Sequence, residues 1–367
     1  MIATAAYAPH INRIGTAVPE HDVHLPFLAF ARTLLTDTRA RMVFDRMAER
    51  SGIAHRYSNF RVGDIEAGEV DSGGFYERGA FPTTAARMRM YEPFARALAL
   101  RAVAALDIAS ERQRITHVVV ASCTGFTAPG LDLQLTDALG LPATVGRTLI
   151  GFMGCSAAVP ALRAACDAVR ADPAARVLVV NCELSTLHLQ ETADLETVLS
   201  FMLFADGASA ALVTADPVGL AVDDFRSAII PDSAGLITWR IGDQGFDMHL
   251  SGKVPARIAT LLRAELEGDG PGLLRGEGTQ SYDLWAVHAG GRTVLDAVEI
   301  GLSLDPQALR HSRSVLHDFG NMSSATVMFV LARILAEREG APRGTRGLGM
   351  AFGPGMVAET FRFRRAA

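Results

Sequence analysis

Three short segments carry residue types that can break and make acyl bonds. Residues 151–158 read GFMGCSAA and put Cys155 on a glycine-flanked turn immediately before an alanine-rich stretch. At a helix start, free backbone N–H groups and the positive helix end favour a thiolate, which predicts a Cys155 pKa below the ordinary ~8.5, toward roughly 3.5–7.5. The small neighbours Gly154, Ser156 and Ala157 leave room for a substrate, and Pro160 falls early enough in the helix to be tolerated. Residues 284–291, LWAVHAGG, end an apolar run with His288, followed by a sharp turn. An imidazole there can take a proton from a thiol near neutral pH or support a developing oxyanion. Residues 318–325, DFGNMSSA, set Asn321 between a glycine and small residues that open a helix. Its amide can donate to an oxygen that becomes negative in the transition state. Each has a plainer reading when taken singly: a small buried thiol, a packed histidine, an asparagine helix cap. Cys166, inside a helix, and Cys182, at a strand end, have no such turn and read as structural.

The elements that must position these residues are legible as alternating patterns. Short runs rich in β-branched residues predict strands over 116–121, 176–180, 208–213, 283–287 and 347–352. Longer alanine-rich stretches predict helices over 91–106, 157–171 and 325–337. The alternation is that of parallel strands buried under helices on both faces, so the expected fold is layered α/β. Residues 61–82 (RVGDIEAGEVDSGGFYERGAFP) predict a surface excursion over a site or at an interface. Residues 267–280 (EGDGPGLLRGEGTQ) predict a flexible insertion. A break at 214–224 divides the chain into two stretches of similar construction, with no strict short repeat.

Bulk composition excludes several classes. The 367 residues, 49% hydrophobic and 20% charged, suit one large core or two fused ones. A formal net charge of -5 gives no basic field for nucleic acid or anionic lipid. The four cysteines show no CxxC pair, which suits a reducing compartment. The start, MIATAAYAPHINRIG, has no basic stretch followed by an apolar run, and no run of about 18 apolar residues occurs. These features predict a cytoplasmic protein without membrane association.

The order of GFMGCSAA, then HAGG, then GNMSSA, then FGPG at 352–355 resembles the type III polyketide synthases of the chalcone synthase kind. SCTGFTAPG (122–130), LFADGA (203–208) and PDSAG (231–235) extend the resemblance over nearly the whole chain. It implies a thiolase-like fold of two fused halves in an α/β/α/β/α arrangement. The amino-terminal half, 1–220, would carry the nucleophile, and the carboxy-terminal half, 221–367, the histidine and asparagine. It implies a homodimer that uses no metal, cofactor or prosthetic group. Cys155 would attack an acyl-CoA starter and hold it as an acyl-enzyme. Malonyl-CoA would then decarboxylate, with His288 and Asn321 stabilising the enolate that attacks the acyl group.

Other positions follow from the same resemblance. Phe204 matches an aromatic gate between CoA entry and pocket, and Arg46 and Arg50 match positions that hold CoA phosphates, with Val43 at the third such position. Met248 stands where a second gate phenylalanine is expected, and Trp239 where a glycine is usual, so a wide aromatic cavity would be partly blocked. Cys123, Thr124, Ser185, Leu187, His188, Ser323 and Pro354 fall on pocket positions, and Ala128 replaces a bulkier residue that reaches across the dimer. A tryptophan near this position is similar to bacterial alkylpyrone and alkylresorcinol synthases, which take fatty acyl starters. An acyl carrier protein is a possible alternative donor. The rival expectations are a single-condensation enzyme like the third ketoacyl-ACP synthase, and a silent thiolase-fold partner subunit.

Overall fold

The apolar runs picked out by their β-branched residues form strands of one large sheet. The computed structural model describes residues 7–337 and 342–366. Part of the amino-terminal stretch read for a leader lies outside them; the remainder leads into the strand His10–Ala17. Among the described residues, nine strands join in the order Leu284–Val287, Arg346–Gly353, Val357–Arg365, Leu220–Ile229, His10–Ala17, Asp206–Thr214, Val177–Leu184, His117–Ser122 and Gly146–Gly151. Only two residue pairs, His10 with Ala221 and Ile11 with Leu220, join the two wings of this sheet.

The expectation of parallel strands holds only in part. His117–Ser122 runs parallel to both its neighbours, and Leu284–Val287 runs parallel to Arg346–Gly353; the other pairings are antiparallel. Val177–Leu184 and Asp206–Thr214 are buried along their whole length. Burial on both faces comes from the layers above and below, and an apolar run reads the same in either direction. Direction is set by the connections, such as the short turn that returns Arg346–Gly353 into Val357–Arg365.

The wings enclose two apolar helices, Ala158–Ala171 and Ala325–Ala336, in a single packed cluster. Val119, Val179 and Ala211 of one wing and Ala286, Ala351 and Phe361 of the other pack with Leu162, Ala165, Val327 and Leu331. Alanine on the first helix permits close approach of a helix covered on both sides. Thr84–Leu106 and Leu131–Ala138 cover the outer face of one wing. Val254–Glu267, Arg292–Gly301 and Arg310–Phe319 cover the other. The result is the five-layer α/β/α/β/α arrangement. No helix among the described residues is long and apolar enough to cross a membrane.

Three local expectations shift. The helix expected from residue 91 begins at Thr84, because Thr83 caps it by accepting from the Ala86 N–H, and Pro93 is accommodated inside it. Residues 61–82 do form an irregular excursion, but Tyr76 and Phe81 are buried, and Asp71 accepts the N–H groups of Gly73, Phe75 and Tyr76. The 267–280 segment is anchored rather than a loose insertion. Leu273 and Leu274 are buried, and Arg275 pairs with Asp224 at 2.8 Å.

Candidate active site

The turn that carries Cys155 is held by two backbone conformations that side chains resist. Between the edge strand Gly146–Gly151 and the Ala158–Ala171 helix, Phe152 (φ 56°) and Gly154 (φ 58°) both lie in the left-handed region. A Cβ on Gly154 would stand 2.4 Å from Cδ of Pro354, and one on Gly353 would stand 2.2 Å from Oγ of Ser156. The GFMGCSAA and FGPG segments therefore interlock, and together they fix Cys155 in the single turn Gly154–Ser156 ahead of the helix.

His288 follows directly on the strand Leu284–Val287, and its N–H donates to the Met350 carbonyl at 2.8 Å. Gly290 lies against the imidazole, so that a Cβ there would be 3.3 Å from Nε2. Neither ring nitrogen has a hydrogen-bond partner among the described residues, although the residue is only 2% exposed. Such a group is available to a substrate or a thiol. Asn321 follows the Arg310–Phe319 helix. Its amide orientation is set from both ends: Nδ2 donates to the Gly290 carbonyl at 3.1 Å, and Oδ1 accepts the Ser323 N–H at 2.9 Å. Its backbone bridges the chain around Phe204, donating to Leu203 and accepting from Ala205, both at 2.9 Å.

The electrostatics reverse one expectation. Burial pushes the Cys155 thiol up to about 11 instead of down, with the Glu183 charge adding to the rise; hydrogen bonds from Ser323 and Asn321 to the sulfur oppose it without overcoming it. Burial also pushes His288 down to about 3. The unliganded chamber thus favours a neutral pair, thiol and imidazole. A thiolate would then need a proton acceptor, and the unpartnered ring of His288 on the same chamber wall is a candidate for it.

These groups line one chamber whose remaining wall is mostly apolar, including Ile237, Leu250, Val254 and Ile258. Of the positions expected in the pocket, Phe204, Met248, Trp239, Cys123, Thr124, Ser185, Ser323 and Pro354 line it. Trp239 and Met248 are cross-strand partners on the hairpin of Ile237–Gly242 and Gly245–Leu250. The indole N–H donates to the Cys123 carbonyl at 2.9 Å, which holds the ring at the wall. Leu187, His188 and Ala128 do not line the chamber. Residues 185–188 form one tight turn that spreads successive side chains to different sides, so Leu187 packs into the core beneath the Thr84–Leu106 helix. His188 stacks on Phe246 at 4.2 Å, accepts the Phe246 N–H on Nδ1 and donates from Nε2 to the Thr124 carbonyl. It supports the wall from behind. Ala128 is exposed on the surface.

A solvent-open cleft of 2010 Å³ leads to this chamber and shares Leu250, Val254, Gly290 and Val294 with it. Arg50 lines the cleft and Arg46 does not: Arg46 is exposed one helical turn away. Arg292, on the opposite rim, donates to the Arg50 carbonyl at 3.3 Å.

Two features were missed in the sequence. Glu183 is fully buried behind Cys123 and Thr124, accepting from the Cys123 N–H and the Thr124 hydroxyl at 2.9 Å and from the Ser324 hydroxyl. Burial pushes it up to about 7. A lone glutamate inside the apolar run RVLVVNCEL was the available signal. The second is another apolar chamber that shares Ser185 and Phe204 as wall residues with the catalytic one. Val62, Ile65, Val70 and Tyr76 of the 61–82 excursion form part of its wall, together with Phe27 and Phe30.

The family models for chalcone and stilbene synthases match the chain twice, the N-terminal domain over residues 3–217 and the C-terminal domain over residues 223–366. Bisdemethoxycurcumin synthase of Oryza sativa subsp. japonica is 35% identical, covering 94% of this chain and 90% of that protein. The 1,3,6,8-tetrahydroxynaphthalene synthase of Streptomyces coelicolor is 32% identical over 95% of this chain and 90% of that protein. Its crystal structure superposes with a TM-score of 0.84 at 31% identity, covering 98% of this chain and 99% of that one. PKS-I of the brown alga Ectocarpus siliculosus superposes with a TM-score of 0.86 at 28% identity over 99% of this chain and 100% of that one. The chain belongs to the chalcone and stilbene synthase family, the type III polyketide synthases, and is an acyltransferase of that kind.

Proposed function

We propose that this polyketide synthase extends a fatty acyl-CoA starter with two or three malonyl units and closes the product to an alkylpyrone or alkylresorcinol. Cys155 is the nucleophile: its sulfur bonds to the acyl carbon, the bond from that carbon to the CoA sulfur breaks, and the thiol proton passes through His288 to the leaving thiolate. Malonyl-CoA then loses CO2, and the enolate oxygen is met by the free ring nitrogen of His288 and by Nδ2 of Asn321. The enolate carbon attacks the acyl carbon and releases Cys155. The observation that supports the fatty acyl reading is a second apolar chamber that shares Ser185 and Phe204 as wall residues with the catalytic one, a neighbouring apolar space into which a linear chain would extend. Trp239 narrows the catalytic chamber against a wide aromatic starter.

Purified enzyme given acyl-CoAs from acetyl to stearoyl with malonyl-CoA should prefer long chains and yield tri- or tetraketides, while Cys155→Ala yields none. Equal use of all chain lengths would sink the fatty acyl reading. Diketide products alone would favour the single-condensation alternative, and no product at all a silent partner subunit. A second reading comes from the bacterial relative, whose product by name is a naphthalene without an alkyl chain. It predicts the same product with every starter offered, formed from malonyl-CoA alone.

A homodimer belongs to the same reading. Phe126, Leu133, Leu149 and Met153 expose between 39% and 46% of their surface around the edge strand Gly146–Gly151. A strand with one open edge bordered by large apolar side chains is a surface that a second copy would cover. All four cysteines are free, which suits the cytoplasm.

A further inference from the structure

We propose that the second apolar chamber is a binding site of its own for an amphipathic monocarboxylate, a free fatty acid, with the carboxylate on the unpartnered amino group of Arg56 and the chain among Phe27, Phe30, Ile65 and Val70. It rests on the fatty acyl reading above in one consequence only, that a bound acid competes with a long starter.

Arg56 is a buried cation, 2% exposed, whose partners carry no charge. Nε donates to Nδ1 of His24 at 3.0 Å, and Nη1 donates to the carbonyls of Phe201 at 2.8 Å and Phe204 at 2.5 Å. Burial, and next the Arg56 charge, pushes His24 down to about 4, so its ring is neutral. Nη2 has no partner among the described residues. The carboxylate of Asp22 accepts the Arg56 backbone N–H instead of the guanidinium, and its other oxygen is taken by His55 at 2.6 Å. Burial lowers Arg56 to about 9, which leaves it charged at neutral pH. A desolvated charge with two idle N–H groups is costly unless an anion meets it.

The surroundings of that guanidinium select the class of anion. Arg56 is a wall residue of the second chamber, with its guanidinium over the Phe27 ring at 4.7 Å. Its bond to Phe204 sets it beside a residue that both chambers share, whereas Phe27, Phe30, Ile65 and Val70 line the second chamber alone. Other polar groups of this wall are engaged internally. The Ser58 hydroxyl bonds that of Thr186 at 2.8 Å, and the Tyr76 hydroxyl donates to the Thr186 carbonyl at 2.9 Å. Asp71, the one acid among the described residues of the wall, accepts three backbone N–H groups. One cationic point and an apolar body suit a single carboxylate on a hydrocarbon chain; a neutral lipid leaves the charge unmet, and a nucleotide brings polar groups that find no partner. The methylenes of a starter passing Phe204 also leave the charge unmet, so a free acid contends with the starter for the same space.

The test titrates decanoate and decanol into the purified full chain by calorimetry. Decanoate should bind a single site per chain about tenfold or more tightly than decanol, the effect of one charge-assisted pair. Arg56→Gln should bring decanoate to the level of decanol. Because Arg56 also holds the Phe201 and Phe204 carbonyls, that variant can fail to fold, and Val70→Trp then decides: it fills the chamber, keeps the guanidinium and should lose decanoate binding while its circular dichroism stays that of the wild type. Equal affinity for acid and alcohol, or unchanged binding in Val70→Trp, overturns the site. Binding lost in Arg50→Ala or Arg292→Ala places the acid in the open cleft and overturns it too. Acylation of Cys155, followed by intact-protein mass, should be slowed by decanoate with dodecanoyl-CoA and much less with acetyl-CoA. Carboxylate-selective binding that slows neither supports the site and removes the long starter from this chamber; a preference for long starters without decanoate binding removes the site alone.

Discussion

At the scale of single residues, reactivity is decided by which charges the chamber tolerates. Cys155 is raised to about 11 chiefly by burial and next by Glu183, which itself titrates near 7. Above pH 7 Glu183 is ionised and disfavours the thiolate; below pH 7 it is protonated and neutral. Alkylation of free enzyme by iodoacetamide should therefore keep rising with pH through 9 instead of reaching a plateau near neutrality. At pH 8 Glu183→Gln should react about three- to tenfold faster than wild type, the effect of half to one pKa unit on the thiolate fraction, and at pH 6 the two should match. A plateau below pH 7 in the wild type would mean that a thiolate and imidazolium already coexist in the empty chamber. The same carboxyl holds the Cys123 N–H and the Thr124 hydroxyl in the chamber wall, so Glu183→Gln reports charge while retaining most of the hydrogen-bonding shape.

At the scale of elements, the site is assembled by turns locked against one another. The nucleophile turn and the FGPG loop touch through Gly154 and Pro354, and the Asn321 segment is bridged to Phe204. Gly154→Ala would face both a left-handed φ and a 2.4 Å approach to Pro354. It should destabilise the protein by about 1–3 kcal/mol and abolish acyl-enzyme formation, seen as a lower Tm and an absent mass adduct. Wild-type acylation in this variant would show that the turn relaxes without moving Cys155. The hairpin places Trp239 and Met248 side by side on the chamber wall, while Cys155, His288 and Asn321 come from other elements.

At the scale of the molecule, the two-winged sheet brings distant stretches to one place. The edge strand beside Cys155 is also the proposed dimer contact, so assembly and nucleophile share a support. Leu149→Asp, placing a charge at the centre of that apolar border, should convert the dimer to monomer in sedimentation velocity and lower activity through loosening of the following turn. A wild-type protein that sediments as a monomer would remove the dimer, and a variant that stays dimeric would place the contact elsewhere.

The sequence by itself singled out the candidate trio Cys155, His288 and Asn321, the strands and helices that carry it and the layered class. Glycine turns, buried apolar runs and alanine-rich helices are local devices, and local devices are legible along the chain. Tertiary structure alone decided what depends on partners far away in the sequence. Strand direction was one such property, because an apolar strand buried on both faces carries no arrow. The protonation preference of Cys155 was another: the helix start argued for a thiolate, but burial and a carboxylate 28 positions along the chain outweighed it. Leu187 and His188 looked like pocket residues until one tight turn sent their side chains elsewhere, and only the packed structure shows that the 61–82 excursion walls a second chamber. Desolvation and side-chain direction are properties of the packed whole, and they separate a list of reactive residues from a site.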